Sequence, residues 1–365
     1  MLYLITHPLK RPAEKQLDLL LGTLDLFGIA YTRTTPDQIP AGSTVITDCF
    51  VMETPYGDPG HDIALKVIDA CTGRDCTLVF YYPSESYATL SASFMPTAHL
   101  CLEHSINAHL IKCGDWDIIG FTNHNLPEFF AWIISSDFNL ARLAYTQKLI
   151  DAQPKTHQFL FLNGEQRDNR EYLFKRYTEA GLLDQSIYSY RSGKSAAGFG
   201  PNEDWQDPFV HPDFRFYAYY PSHFYRTKVS IVSETTQMEF FPTEKTYKSL
   251  MLGHPFVLYG GRCSLEKLRK LGFKTMAPYI DEGYDLSDYP LECADYLIDK
   301  TLKNIPEDIV QLTHEACVHN RQHFHIVANS IYLRLLGILQ DIDRSILPNE
   351  SFAVTGKILD KYFLN

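Results

Sequence analysis

Glu234, Thr243, Glu244 and Lys245 bring two carboxylates, a hydroxyl and an ammonium into one short stretch of chain. Such a set can hold a ligand that carries both phosphate and sugar hydroxyls. The stretch reads as strand, loop, helix, strand: Ile231-Val232-Ser233-Glu234, a loop, the segment from Thr243 to Leu252, and the apolar run Phe256 to Tyr259. Thr243 is able to cap the helix through its hydroxyl. Gly253 can end it in a left-handed conformation, and Pro255 forbids its continuation. Glu244 and Lys245 therefore fall in the first turn, where unpaired backbone N–H groups and the positive end of the helix dipole favour an anion such as a diphosphate. A lysine there binds phosphate as a point charge, and the neighbouring carboxylate can accept hydrogen bonds from ribose hydroxyls. The plain alternative is a glutamate that complements the dipole beside a solvated lysine.

A second strand-to-helix junction lies upstream. The buried strand Gln158 to Asn163 is followed by Arg167 and Arg170 at the start of a helix from Asp168 to Ala180, with Gly181 at its end. A guanidinium suits bidentate phosphate contact, and a loop between a strand and a helix N-terminus is where a diphosphate would lie. Pairing with Glu171 or solvent is the alternative use of either arginine.

The segments Val232-Ser233-Glu234, Thr243-Glu244-Lys245-Thr246-Tyr247-Lys248 and Gly253-His254-Pro255-Phe256-Val257 resemble the donor-binding signature of fucosyltransferase and exostosin-type glycosyltransferases. The continuation Leu268 to Thr275, with Asp281-Glu282-Gly283-Tyr284-Asp285 after it, is similar to glycosyltransferase-like proteins common in bacteriophages and bacteria. Residues 157 to 330 carry the likeness; the first 150 carry none of it. The resemblance implies a GT-B fold, in which two Rossmann-like domains face a cleft. It implies a donor-phosphate role for Arg170 first and Arg167 second, and places Glu234 at the position of a donor-site acid. Thr235 stands where the fucosyltransferases have asparagine, so fucose does not follow.

An inverting transferase without metal needs a base for the acceptor hydroxyl and cations for the departing nucleotide diphosphate. The base is expected in the first domain, from Glu85 or Asp48, both at strand ends; either can also serve as a loop cap. Asp115-Trp116-Asp117 is a D-x-D tripeptide, the divalent-ion pattern of another glycosyltransferase class, but it is expected to begin a strand rather than end one. His314, His319, His323 and His325 lack an H-E-x-x-H pattern and read as a polar helix face. Tyr217 to Arg226 is an aromatic and basic cluster that either stacks rings or fills an edge of the core.

The elements that must position these groups alternate. Strands are expected at Tyr3 to Thr6, Ser43 to Thr47, Thr77 to Tyr82, His99 to Leu102 and Asp117 to Phe121, with helices at Glu14 to Phe27 and His61 to Ala70. Such alternation predicts an α/β chain with mostly parallel sheets. A long helical region from Glu128 to Ile150 ends at Pro154, giving an acceptor-side Rossmann-like domain over 1–153. A nucleotide-sugar-binding domain over 154–310 follows, and helices over 311–365 pack back across both, with the last helix near Thr355 to Phe363. Ser192 to Pro208 reads as a mobile loop.

The chain has 365 residues, 45% of them hydrophobic, enough for two cores, and a formal net charge of −11 that gives no global attraction to nucleic acid or anionic membrane. Its eight cysteines are scattered without a C-x-x-C pair, which fits reduced thiols in a cytosolic protein, the host cytoplasm if the chain is viral. The apolar run at the N-terminus is too short for a signal peptide, and no stretch has the length of a membrane span. The expected function is transfer of a sugar from a nucleotide-diphosphate donor, a co-substrate rather than a cofactor, to an acceptor hydroxyl on a glycan or on a hydroxymethylated base in phage DNA. A sugar-nucleotide-binding protein without transfer activity and a nucleotide-sugar epimerase are the alternatives.

Overall fold

A computed structural model describes residues 1–7, 14–51, 58–84, 87–137, 140–163, 167–190 and 222–348. Glu85, the loop 192–208, residues 217–221 and the expected helix 355–363 lie outside the described residues. In chain order the elements are β1 (Leu2–Ile5), α1 (Glu14–Leu26), β2 (Tyr31–Arg33), β3 (Thr44–Thr47), α2 (Pro59–Cys71), β4 (Thr77–Tyr81), α3 (Tyr87–Glu103), β5 (Asn107–Lys112), β6 (Thr122–Asn125), α4 (Phe129–Asp137) and α5 (Leu140–Ala152). There follow β7 (His157–Asn163), α6 (Asp168–Glu179), β8 (Ser186–Tyr190), β9 (Thr227–Ser233), α7 (Glu244–Leu252), β10 (Phe256–Tyr259), α8 (Ser264–Lys270), α9 (Pro290–Tyr296), α10 (Ile309–Leu312) and α11 (His314–Ile342). The α/β class and the two parallel sheets expected from the alternation are both present.

Contacts divide the chain into a first unit, 1–129 with 329–365, and a second, 130–328. By contacts the break lies after Phe129, the first residue of α4, where the sequence places it at Pro154. Helix α5 belongs with the second unit because Gln147 donates to the Met251 carbonyl (3.0 Å) and Asp151 receives both Arg321 Nη atoms (2.6 and 2.8 Å). The C-terminal helices divide too: α11 contributes to the second unit through Ala328 and to the first from Asn329.

In the first unit the strand order is β2-β1-β3-β4-β5-β6, all parallel. One face buries Val45, Leu78, Phe80 and Leu110 against Val67 and Ile68 of α2 and Phe94 and Cys101 of α3. Here the expected strand His99 to Leu102 proves to be the end of α3, because its apolar residues serve a helix packed on the sheet. The expected strand Asp117 to Phe121 is also displaced: those residues form a loop with Gly120 in the left-handed region (φ 98°), and the strand is β6. Four polar residues make that strand, held from outside its own sequence. Asn125 Oδ1 accepts from Lys112 Nζ (2.9 Å), and His124 stacks on His109 with the ring nitrogens 3.1 Å apart. None of the eight cysteines is in a disulfide, and burial pushes the thiols of Cys49, Cys71, Cys101 and Cys293 up to about 12.

In the second unit the order is β10-β9-β7-β8, again parallel. Phe161, Ile231, Val257, Tyr247, Leu250, Phe273 and Phe324 are buried. Two histidines of α11 serve packing: His319 and His323 stack, and each contacts a carbonyl just beyond α8, Gly272 O (2.9 Å) and Leu271 O (2.7 Å). Asn320 exchanges two hydrogen bonds with the Lys274 backbone (2.8 Å each), and Arg321 Nε donates to Leu252 O (2.9 Å). The stretch 320–323 thus clamps the ends of α7 and α8 to α11, satisfying carbonyls that helix termini leave over.

Two buried imidazoles make stability depend on pH. His254, wholly buried between Thr227 O (3.0 Å) and Ser230 Oγ (2.9 Å) and close to Lys155, is driven from 6.5 to about 3, mainly by loss of solvent. His109 falls to about 4 by burial and by the charge of His124. Both folded values lie below the unfolded one, so their stabilisation is complete above about 6.5 and is lost as pH falls toward 3–4. Urea denaturation at pH 7.5 and 4.5 should differ by roughly 2–3 kcal/mol for each imidazole, the more stable state being at higher pH. An unchanged midpoint at pH 4.5 contradicts the neutral assignment.

Candidate functional site

In doubly wound parallel sheets, ligands bind beyond the carboxyl ends of strands where the strand order reverses. The second unit reverses between β7 and β9, and the residues singled out from the sequence collect at that edge. His157 pairs with Thr227 and Leu160 with Ser230; carried on at the same offset, the last residues of the two strands, Asn163 and Ser233, stand side by side. Each is 2% exposed. Among the described residues neither the Asn163 amide nor the Ser233 hydroxyl has a hydrogen-bond partner. A buried polar group left so costs about 1–3 kcal/mol, which a ligand or water can recover. Sequence reasoning named both only as strand ends, since only their pairing across the sheet distinguishes them.

Arg170 is 3% exposed and its Nη2 donates to Ser233 O (3.1 Å). It ties the first turn of α6 to the end of β9. Arg167 occupies the N-cap position of α6, half-buried. Glu234, also 2% exposed, is occupied: Oε1 accepts from Thr243 N (2.9 Å) and Thr246 Oγ1 (2.6 Å), and Oε2 from Thr243 Oγ1 (2.6 Å). The acid of the strand end therefore holds the start of α7 in place. Thr243 caps as its type suggests, accepting from Lys245 N (3.4 Å), and Gly253 ends the helix in the left-handed region (φ 63°).

Lys245 Nζ lies 2.9 Å from Thr243 Oγ1, 3.0 Å from Glu244 Oε1 and 3.9 Å from Glu234 Oε2. Its side chain is 30% exposed, so the ammonium is anchored on one side and open on the other. Burial raises the Glu244 carboxyl, yet Lys245 and Lys248 more than offset it, and the group stays ionised below its ordinary value. The geometry is an oriented cation at a helix N-terminus with acceptors beside it, suited to a diphosphate and a ribose.

The first unit reverses between β1 and β3. Asp48, directly after β3, sits there: Oδ1 accepts from the His7 backbone N–H (2.7 Å), while Oδ2 makes no hydrogen bond among the described residues. Burial raises its pKa, the His7 N–H opposing. His7, after β1, is a residue the sequence reading passed over. Its Nε2 is 2.7 Å from Asp58 Oδ1, the way an imidazole is oriented when it acts as a base. Its one sequence signal is a histidine at a strand end, meaningful only once the strand order is known. Asp115 and Asp117 lie in the loop after β5, half-buried and exposed. No cluster of three metal-binding side chains occurs among the described residues, where no helix is long and apolar enough to cross a membrane.

No family model matches the chain, and no curated protein matches it. Two solved structures are similar in the course of the chain. One is an α1,3-fucosyltransferase with GDP-fucose, 10% identical over 96% of this chain and 91% of that one, with a TM-score of 0.45. The other is an α1,3-fucosyltransferase, 12% identical over 91% and 90%, with a TM-score of 0.44. Neither likeness identifies a residue.

Proposed function

We propose that this chain transfers a sugar from a nucleotide-diphosphate donor to an acceptor hydroxyl, with inversion and without a metal ion. The observation that carries the reading is the carboxyl edge of β7 and β9. There Glu234, the residue after Ser233, holds the α7 N-terminus through Thr243, with Lys245 Nζ 3.9 Å from its Oε2, and the Asn163 and Ser233 side chains at the ends of the two strands are buried without a hydrogen-bond partner among the described residues. Lys245 and the backbone donors of α7 take the diphosphate, and Glu244 accepts from the ribose hydroxyls. Arg170 and Arg167 support the phosphates from α6, and Glu234 acts through Thr243. The acceptor hydroxyl loses its proton to a first-unit base, its oxygen attacks the anomeric carbon, and the bond to the diphosphate breaks as Lys245 compensates the leaving charge. Asp48 is the described candidate for that base, with His7 oriented by Asp58 as its neighbour and Glu85 beyond the described residues. The acceptor is a glycan or a hydroxymethylated base in phage DNA, and the compartment is the cytoplasm.

Lys245→Ala is expected to weaken binding of the parent nucleoside diphosphate by about 10- to 100-fold, since a charged hydrogen bond to phosphate contributes roughly 1.5–3 kcal/mol. Its melting temperature without ligand should move little. Calorimetry with UDP, GDP and dTDP measures both the preferred base and the loss. If no nucleoside diphosphate binds the wild-type chain, or Lys245→Ala binds as well, the donor assignment fails; binding without any transfer leaves a sugar-nucleotide-binding protein.

A further inference from the structure

At the other end of β9, six residue steps or about 20 Å from Ser233, the second unit contains a cavity of about 360 Å³. Lys155, Lys228, His314 and Arg321 line it, with Asp151 as its one carboxylate. Arg321 and Asp151 are committed to each other through two hydrogen bonds. The lysines are not so paired. Lys155 Nζ donates to two backbone carbonyls, Ile150 (2.6 Å) and Tyr225 (3.0 Å), and Lys228 Nζ to one, Glu307 (2.9 Å). Each ammonium has three N–H donors, so among the described residues one on Lys155 and two on Lys228 are uncommitted, and neither lysine has a carboxylate there within ion-pair distance. His314 makes no hydrogen bond among the described residues.

An adjoining hollow of about 550 Å³ shares Lys155, Lys228 and His314 and is lined further by Glu307, Asp308 and Glu315. Lys155, Lys228 and His314 thus stand between the two hollows, with one carboxylate, held by Arg321, on the inner side and three on the outer. The cations match a tetrahedral dianion, which accepts from several point-charge donors at once, and the carboxylates match neighbouring hydroxyl groups. The volumes fall in the range of small-molecule sites.

We propose that this is a second ligand site, for a small phosphorylated sugar or polyol, with the phosphate on Lys155, Lys228 and His314 and the hydroxyls on Glu307, Asp308 and Glu315. Burial lowers the Lys155 ammonium to about 8, the Asp151 charge only partly opposing it and Arg321 adding to the fall, a cost that an arriving phosphate offsets. The site is distinct from the Lys245 edge and does not depend on the transfer reaction.

Titration calorimetry of the full chain with glucose 6-phosphate, inorganic phosphate and glucose tests it. The sugar phosphate should bind in the micromolar to millimolar range, inorganic phosphate about tenfold more weakly, and glucose not measurably. Lys155 also holds two backbone carbonyls, so Lys228→Met, which gives up a single exposed contact, carries the test. It should weaken glucose 6-phosphate at least tenfold while leaving the ligand-free melting temperature and nucleoside-diphosphate binding unchanged. Lys245→Ala should leave glucose 6-phosphate binding intact. Absence of heat with both phosphate probes at 10 mM, scaled as about tenfold above millimolar affinity, overturns the proposal. So does wild-type affinity in Lys228→Met, or an affinity that Lys245→Ala abolishes.

Discussion

Asp48→Asn is expected to lower turnover by about 10²–10⁴ while donor affinity stays within roughly threefold, because a general base acts on the acceptor and not on the nucleotide. The substitution is chosen for what it keeps. An asparagine Oδ1 can still accept the His7 N–H at 2.7 Å, so the β1–β3 junction holds while the proton-accepting carboxylate disappears. The raised pKa of Asp48 brings it nearer to neutrality, where a base is most effective at the working pH. A transfer assay with radiolabelled donor, run beside a nucleotide titration, separates rate from binding. Turnover at the wild-type level would remove Asp48, and the same assay on His7→Gln and Glu85→Gln then identifies the base. Loss of donor affinity together with rate would instead mean that the variant had disturbed the fold.

Glu234→Ala should be the most destabilising single change at the donor edge, by about 3–5 kcal/mol in urea denaturation. Its carboxylate is buried and accepts three hydrogen bonds of 2.6–2.9 Å from Thr243 and Thr246. Removing it leaves two hydroxyls and a backbone N–H without their acceptor and Lys245 without its second carboxylate neighbour. Glu234→Gln keeps an acceptor for Thr243 N and Thr246 but presents an NH₂ to the Thr243 hydroxyl. A smaller loss of about 1–2 kcal/mol is expected there. Nucleoside-diphosphate affinity should fall in both variants in proportion to the loosening of the α7 start. A Glu234→Ala chain as stable as wild type would show that the cap does not depend on this contact.

Much of the second unit was legible because its signals are local. Thr243, Gly253 and Pro255 fix the ends of α7 within a few residues of themselves, and Gly181 (φ 70°) closes the turn after α6. Each of these is a statement about φ, ψ and the nearest backbone donors, which the sequence carries directly. The first unit was harder. His99 to Leu102 looked like a strand because a short apolar run has no period of its own, and β6 was misplaced because Thr122-Asn123-His124-Asn125 pairs only through its neighbour β5.

The residue types at the donor edge, Thr243, Glu244 and Lys245, and the order of strands and helices were determined by the sequence alone. Which strands are neighbours was not, since parallel pairing joins residues separated by whole crossovers and is decided by how apolar faces close on one another. That closure sets Asn163 beside Ser233, brings His7 to Asp48 from 41 residues away and turns Glu234 from a ligand contact into the support of Thr243. It also gathers Lys155, Lys228 and His314 from a loop, a strand and a helix around one cavity. None of these pairings leaves a trace in local spacing, because the free energy that selects them comes from burial shared across the whole sheet.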